Sequence, residues 1–163
     1  MAKILCVEDE PGLREDLVET LELAGHTVIE AANGALGLAA ILAEKPDLTI
    51  SDVAMPEMNG HDLLRVLRES HPEFAEMPFV FLSALADRKD QIAGHKLGAD
   101  DYRTKPVDFE IMHVIIDAKL QQVARMRRQK DQQILKLYGA LTGAPVRDHE
   151  GARQALNGIE PMT

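Results

Sequence analysis

Five short strand-like runs, each followed by a stretch of helical periodicity or a loop, recur along the first hundred or so residues. No other feature of the chain constrains its fold as much. The runs are "KILCV" (3–7), "TVIEA" (27–31), "DLTIS" (47–51), "PFVFLSA" (78–84) and a short strand inside "ADDYRTKP" (99–106). Between them, Leu13, Leu17, Leu21 and Ala24 recur at helical spacing until Gly25 stops the helix. Asn33-Gly34 marks a turn into "ALGLAAILAEK", which ends before Pro46; "GHDLLRVLRES" (60–70) and the weaker "DRKDQIAGHKLG" (87–98) complete the set. Strands and helices alternating at this length predict an α/β fold, a doubly wound, five-stranded parallel sheet with helices on both faces. Right-handed crossovers then bring all strand C-terminal ends to one edge, where such sheets bind ligands.

With no Trp and only 4% aromatic residues, the core must be aliphatic, and 45% hydrophobic residues suffice to build one. A single cysteine, Cys6, excludes an internal disulfide and reads as packing within the first strand. No apolar run reaches membrane-spanning length and the N-terminus lacks a charged-then-apolar signal pattern, so the expectation is a cytoplasmic protein without membrane contact. The net charge of −9 is unevenly placed: residues 1–106 carry −10 and residues 107–163 carry +1. A strongly acidic body disfavours nucleic acid as a direct partner and suits a metal cation or a basic protein. The six histidines show no paired spacing and read as scattered surface residues.

After Pro106 the character changes. From Val107 to about Leu141 only Gly139 interrupts a continuous helical stretch. Phe109, Ile116, Leu120, Val123, Ile134, Leu137 and Leu141 fall at alternating three- and four-residue steps, with His113, Arg127 and Lys130 in the same register. That heptad stripe predicts an extended last helix that forms a homodimer through residues 107–141; the alternative is one long helix whose first half covers the sheet. The basic stretch "KLQQVARMRRQK" (119–130) reads as a solvated face. The expected organisation is therefore a domain over 1–120, a helical extension and possible coiled-coil segment over 121–141, and a mobile tail over 142–163.

Chemistry concentrates at the predicted strand ends. Glu8 and Asp9 follow the first strand, and Asp52 follows the third in "TISDVAMPEMNG" (49–60). Carboxylates brought into one cleft repel by about 4 kcal/mol per pair at 4 Å and an effective dielectric near 20. Such a cluster persists by taking up protons or by holding a cation, and hard oxygen ligands at an acidic mouth suit Mg²⁺. Ser83 ends the fourth strand and Lys105 follows the fifth. A metal, a carboxylate nucleophile, a hydroxyl and an ammonium around one point form a phosphoryl-transfer site.

The segments "ILCVEDEPGLRE", "SDVAMPEMNG", "FLSALAD" and "GADDYRTKPVD" resemble the signature segments of response-regulator receiver domains of bacterial two-component signalling. The resemblance covers residues 1 to about 120 and implies a flavodoxin-like fold. It implies Asp52 as phosphoacceptor, Asp9 as the main metal carboxylate, Glu8 as a second acid acting through water, and Ala54 as a backbone carbonyl ligand. Ser83 becomes the hydroxyl that turns toward the phosphoryl group, Lys105 its ionic partner, and Tyr102 the switching aromatic that rotates from exposed to buried. The implied cofactor is Mg²⁺, with Mn²⁺ as a substitute, and the implied partner is a histidine kinase or phosphotransfer protein. Signalling output follows from a change in the face formed by helix four, strand five and helix five. The expected catalysis is limited to phosphorylation of Asp52 and its reversal.

Other readings make different demands on the same residues. An aspartate-nucleophile phosphatase needs a second carboxylate two residues after the nucleophile, where Ala54 stands. A flavin carrier needs a Ser/Thr/Gly-rich cradle after the first strand, where the chain is acidic. A protein-binding receiver without phosphorylation would not need the full site. The receiver portion of a longer regulator remains compatible, and "ALTGAPVR" (140–147) faintly resembles the start of diguanylate-cyclase domains.

Overall fold

A computed structural model describes residues 2–84 and 88–143, the Arg88 side chain excepted. The expected mobile tail lies outside the described residues from 144 onward. The element order is β1 (Lys3–Val7), α1 (Pro11–Leu23), β2 (Thr27–Ala31), α2 (Gly34–Glu44), β3 (Leu48–Asp52), α3 (Gly60–Ser70), a 3₁₀ turn (Pro72–Phe74), β4 (Phe79–Ser83), α4 (Arg88–Lys96), β5 (Asp101–Thr104) and α5 (Phe109–Thr142). All five strands pair in parallel in the order β2-β1-β3-β4-β5. The strand order reverses between β1 and β3, which opens a crevice at their C-terminal ends.

Local chemistry sets these boundaries. Pro11 starts α1 with a fixed φ, while Asn33 and Asn59 cap α2 and α3 by accepting the Leu36 and Asp62 amides at 2.8 Å each. Every residue of β3 and β4 is buried, as central parallel strands require. Alternation splits the core in two. Leu5, Val7, Phe79 and Phe81 face Ile41, Leu63, Leu64 and Leu67 of α2 and α3; Ile4, Cys6, Ile50 and Leu82 face Leu17 and Leu21 of α1 and Met112 and Ile116 of α5. Cys6 is fully buried, and its thiol is pushed up to about 12, chiefly by desolvation and then by the charge of Glu30.

The chain divides into two compact units, Met1–Leu120 and Gln121–Thr163. Within the first, Phe109, Met112, Ile116 and Leu120 of α5 pack on the sheet core. The first half of the heptad stripe is therefore occupied by the sheet, so those positions are not free to form an intermolecular seam. Within the second unit the helix leaves Leu137 and Leu141 more than half exposed.

Candidate functional site

The site is assembled by three loops at the C-terminal edge of the sheet. As the chain leaves β1, the Glu8 amide donates to Ala31 O at 3.0 Å, and Arg14 of α1 donates to Glu8 O at 2.7 Å. Glu8 Oε2 accepts the Glu10 amide at 3.2 Å, and the residue is 1% exposed. Asp52 ends β3 with its Oδ1 held by the Val53 amide at 2.7 Å, and it is 6% exposed. The loop then turns back so that the Gly60 amide meets Val53 O at 2.8 Å, and no side chain fits at Gly60 because a Cβ would collide with the Asp52 carbonyl. Lys105 is carried in from β5 by its amide's bond to Ser83 O at 2.8 Å, and the Lys105–Pro106 peptide is cis.

Glu8, Asp9 and Asp52 each present a carboxylate oxygen, and these oxygens lie within 4.8 Å of one another. Lys105 Nζ stands 2.7 Å from Glu8 Oε1 and 3.1 Å from Asp52 Oδ2. Three carboxylates and one ammonium leave a charge of −2, which one divalent cation balances. The protons respond accordingly. Asp9 is shifted above the ordinary carboxylate range, first by desolvation and then by its hydrogen bond to, and repulsion from, Glu8. Burial acts to lower the Lys105 pKa, but its hydrogen bonds to Glu8 and Asp52 outweigh this and raise it above its usual value. The donors are all hard oxygens, Asp9 is exposed, and it lines an open cavity together with Ala54, Met55, Asn59 and His61. Such a set fits an oxygen-loving ion that keeps part of its water shell. Ser83, fully buried, ends the neighbouring strand, and Tyr102 is 8% exposed with its ring centroid 5.8 Å from that of Phe81.

This architecture has a counterpart among known families. The model for the response regulator receiver domain matches residues 4–117. The chain belongs to the response regulator receiver family. Protein PilH of Pseudomonas aeruginosa is 38% identical over 120 residues, covering 74% of this chain and 98% of PilH. The DNA-binding dual master transcriptional regulator RpaA of Synechocystis is 33% identical over 147 residues, covering 90% of this chain. The chain spans 61% of the length of that regulator, and about half of the probable transcriptional regulator ycf27 of Porphyridium aerugineum. Among solved structures, the receiver domain of a signal transduction histidine kinase from Syntrophus aciditrophicus superposes with a TM-score of 0.71 at 35% identity, covering 77% of this chain and 94% of that one. A CheY-like receiver from Methanospirillum hungatei gives 0.72 at 28%, covering 77% and 98%.

Tyr102, the expected switching aromatic, stands in the buried one of its two expected arrangements, packed on Phe81. His61 was grouped with surface histidines, but its ring meets Phe81 edge-on at 5.1 Å and its Nε2 is buried with no hydrogen-bond partner among the described residues. Desolvation holds the His61 pKa below the usual imidazole value, with the nearby charge of Asp90 opposing. The sequence reading also passed over Arg14, whose guanidinium anchors the Glu8 carbonyl and pairs with Glu30 at 3.4 Å. Its only sequence signal was a basic residue in an acidic segment, which does not reveal a backbone acceptor.

Proposed function

We propose that this receiver accepts a phosphoryl group from a phosphohistidine donor onto Asp52 in a reaction that requires Mg²⁺. The observation that carries this reading is the placement of one ammonium between two buried carboxylates, beside a third that faces an open cavity. Glu8, Asp9 and Asp52, together with the carbonyl of Ala54, would hold the ion, which supplies charge neutralisation for the oxygens of the transferring group. The Val53 amide fixes the rotation of the Asp52 carboxylate, so that it meets the donor in one orientation. A new bond forms between a carboxylate oxygen and phosphorus as the donor's P–N bond breaks, leaving an acyl phosphate and a free imidazole. Lys105 then exchanges its contact with Asp52 Oδ2 for one with the phosphoryl oxygens. Turnover is confined to making and hydrolysing this bond.

Ser83 turns its hydroxyl to the new phosphoryl group, and that movement is linked to the position of Tyr102 two strands from Asp52 through the shared packing with Phe81. A few kcal/mol of differential contact reverses such a two-state equilibrium. The face of α4, β5 and α5 carries the result to a partner, in a cytoplasmic bacterial setting. Residues 121–141 form the remaining candidate homodimer seam, because the earlier stripe positions are packed on the sheet. Among the described residues no helix is long and apolar enough to cross a membrane. DNA binding belongs to one relative by name, whereas this acidic body is read as contacting protein rather than nucleic acid. Incubation with acetyl phosphate tests the reaction: intact mass should rise by one phosphoryl group with Mg²⁺ and stay unchanged with a chelator. Equal labelling under both conditions would remove the metal from the mechanism.

A further inference from the structure

Helix α2 carries no charged side chain from Gly34 to Ala43, although one side of it faces solvent. Gly37 and Ile41 point inward and are buried, while Ala35, Leu36, Ala39, Leu42 and Ala43 are exposed, Leu36 by 54% and Leu42 by 40%. A surface helix ordinarily sets polar residues opposite its buried stripe, and a helix apolar all round is ordinarily covered. The outward residues also repeat in reverse about Ala39. Leu36 and Leu42 stand three positions either side of it, and Ala35 and Ala43 four. Such a pattern is self-complementary: when two such helices cross antiparallel with Ala39 on the two-fold axis, each Leu36 faces the other copy's Leu42 and each Ala35 faces Ala43. The small side chains at and around the axis let the backbones approach.

We propose that the outer face of α2 is an isologous contact between two copies of this chain. The self-matching pattern points to a second copy rather than an unrelated partner, and the uncharged α2 face lets two acidic bodies, each −10 over residues 1–106 and mutually repelling, meet without opposing carboxylates at the contact. Glu44, at the end of one helix, then lies near the N-terminus of its partner, where the helix dipole favours an acid. Eleven residues make a helix of about 16 Å. A contact of that length falls short of the roughly 1,200 Å² at which specific interfaces become stable. The association is therefore weak, formed at high local concentration and independent of any seam along residues 121–141.

Disulfide trapping in the full chain reads the arrangement directly. Cys6 does not compete, being fully buried with its thiol pushed up to about 12. Under mild oxidation Ala39→Cys should form a covalent dimer at least tenfold faster than a control cysteine at the exposed position Glu69 on α3. Leu36→Cys alone should remain at the control rate, because two copies of residue 36 are separated by about 9 Å along the axis, beyond the roughly 7 Å limit between bridged Cα atoms. A mixture of Leu36→Cys and Leu42→Cys should cross-link to each other. Adding Leu42→Glu to Ala39→Cys should return its rate to the control. Trapping of Ala39→Cys at the control rate would overturn the proposal, as would self-pairing of Leu36→Cys as fast as that of Ala39→Cys.

Discussion

Replacing Lys105 with methionine keeps most of the side chain's volume and removes its charge. The ammonium lies 2.7 Å from Glu8 and 3.1 Å from Asp52, and the side chains of the three are only 18%, 2% and 8% exposed. At about 3 Å and an effective dielectric near 20, each attraction is worth about 5 kcal/mol before desolvation is subtracted. Exposed pairs come out near 0–1 kcal/mol, whereas removing one member of a buried pair costs about 3–5 kcal/mol, since the remaining charge has no partner. The substitution should therefore lower stability by about 3 kcal/mol or more in urea denaturation at neutral pH with a chelator present. A divalent cation should recover most of this, and stabilise the variant more than the parent, because the cluster charge changes from −2 to −3. A direction in pH follows as well. The folded pKa of Lys105 is raised above 10.5, so its contribution is complete below that pH and is lost as pH rises through the folded value. Parent and variant stabilities should converge in strong alkali. A loss under about 1 kcal/mol, or no recovery with Mg²⁺, would show that Lys105 behaves as a surface lysine and refute the electrostatic account.

Three further outcomes are expected. Gly60→Ala drives a Cβ into the Asp52 carbonyl and to 2.9 Å from Phe81 Cε1, so stability should fall by about 1–3 kcal/mol, and labelling of Asp52 should fall further than unfolding alone explains. Asp9 has a raised pKa, so between the ordinary 3.8 and the folded value the folded state binds more protons than the unfolded one, and its ionisation weakens the metal-free fold as pH rises. Asp9→Asn should therefore stabilise the metal-free protein at neutral pH while abolishing the melting-temperature increase on adding Mg²⁺; the parent's Mg²⁺ affinity should begin to fall on acidification above pH 3.8, by calorimetric titration. Lys45 ends α2 at φ 50, a left-handed conformation that glycine adopts without Cβ strain, so Lys45→Gly should raise stability by about 0.5–1 kcal/mol in chemical denaturation.

Much of the fold was legible because β1, β3 and β4 are rich in apolar residues and Gly25, Asn33-Gly34 and Pro46 break the chain between elements, which separates strand from helix without tertiary information. β3 and the turn at Asn33-Gly34 illustrate this. The convergence of Glu8, Asp9 and Asp52 was legible for a different reason: parallel connections force all strand ends to one edge, so charges there must meet. What the sequence could not convey were contacts made by backbone atoms and side-chain rotation. The Val53 amide on Asp52 and the Glu8 carbonyl on Arg14 leave no residue-type signature. The inward ring of Tyr102 depends on its packing against the ring of Phe81, which no one-dimensional pattern records. His61 misled for a related reason, because a polar side chain at the start of an amphipathic helix reads as solvated until the partner ring is seen. The stripe along α5 was real, but periodicity alone could not distinguish burial against the sheet from burial against another copy.

The most direct measurement asks which atom carries the phosphoryl group. After treatment with acetyl phosphate and Mg²⁺, borohydride reduction converts an acyl phosphate on aspartate to homoserine, and peptide sequencing by mass spectrometry locates it. Homoserine at position 52 alone, lost in Asp52→Asn, is the predicted result. Homoserine at position 9, phosphate on Ser83, or undiminished labelling of Asp52→Asn would contradict the account.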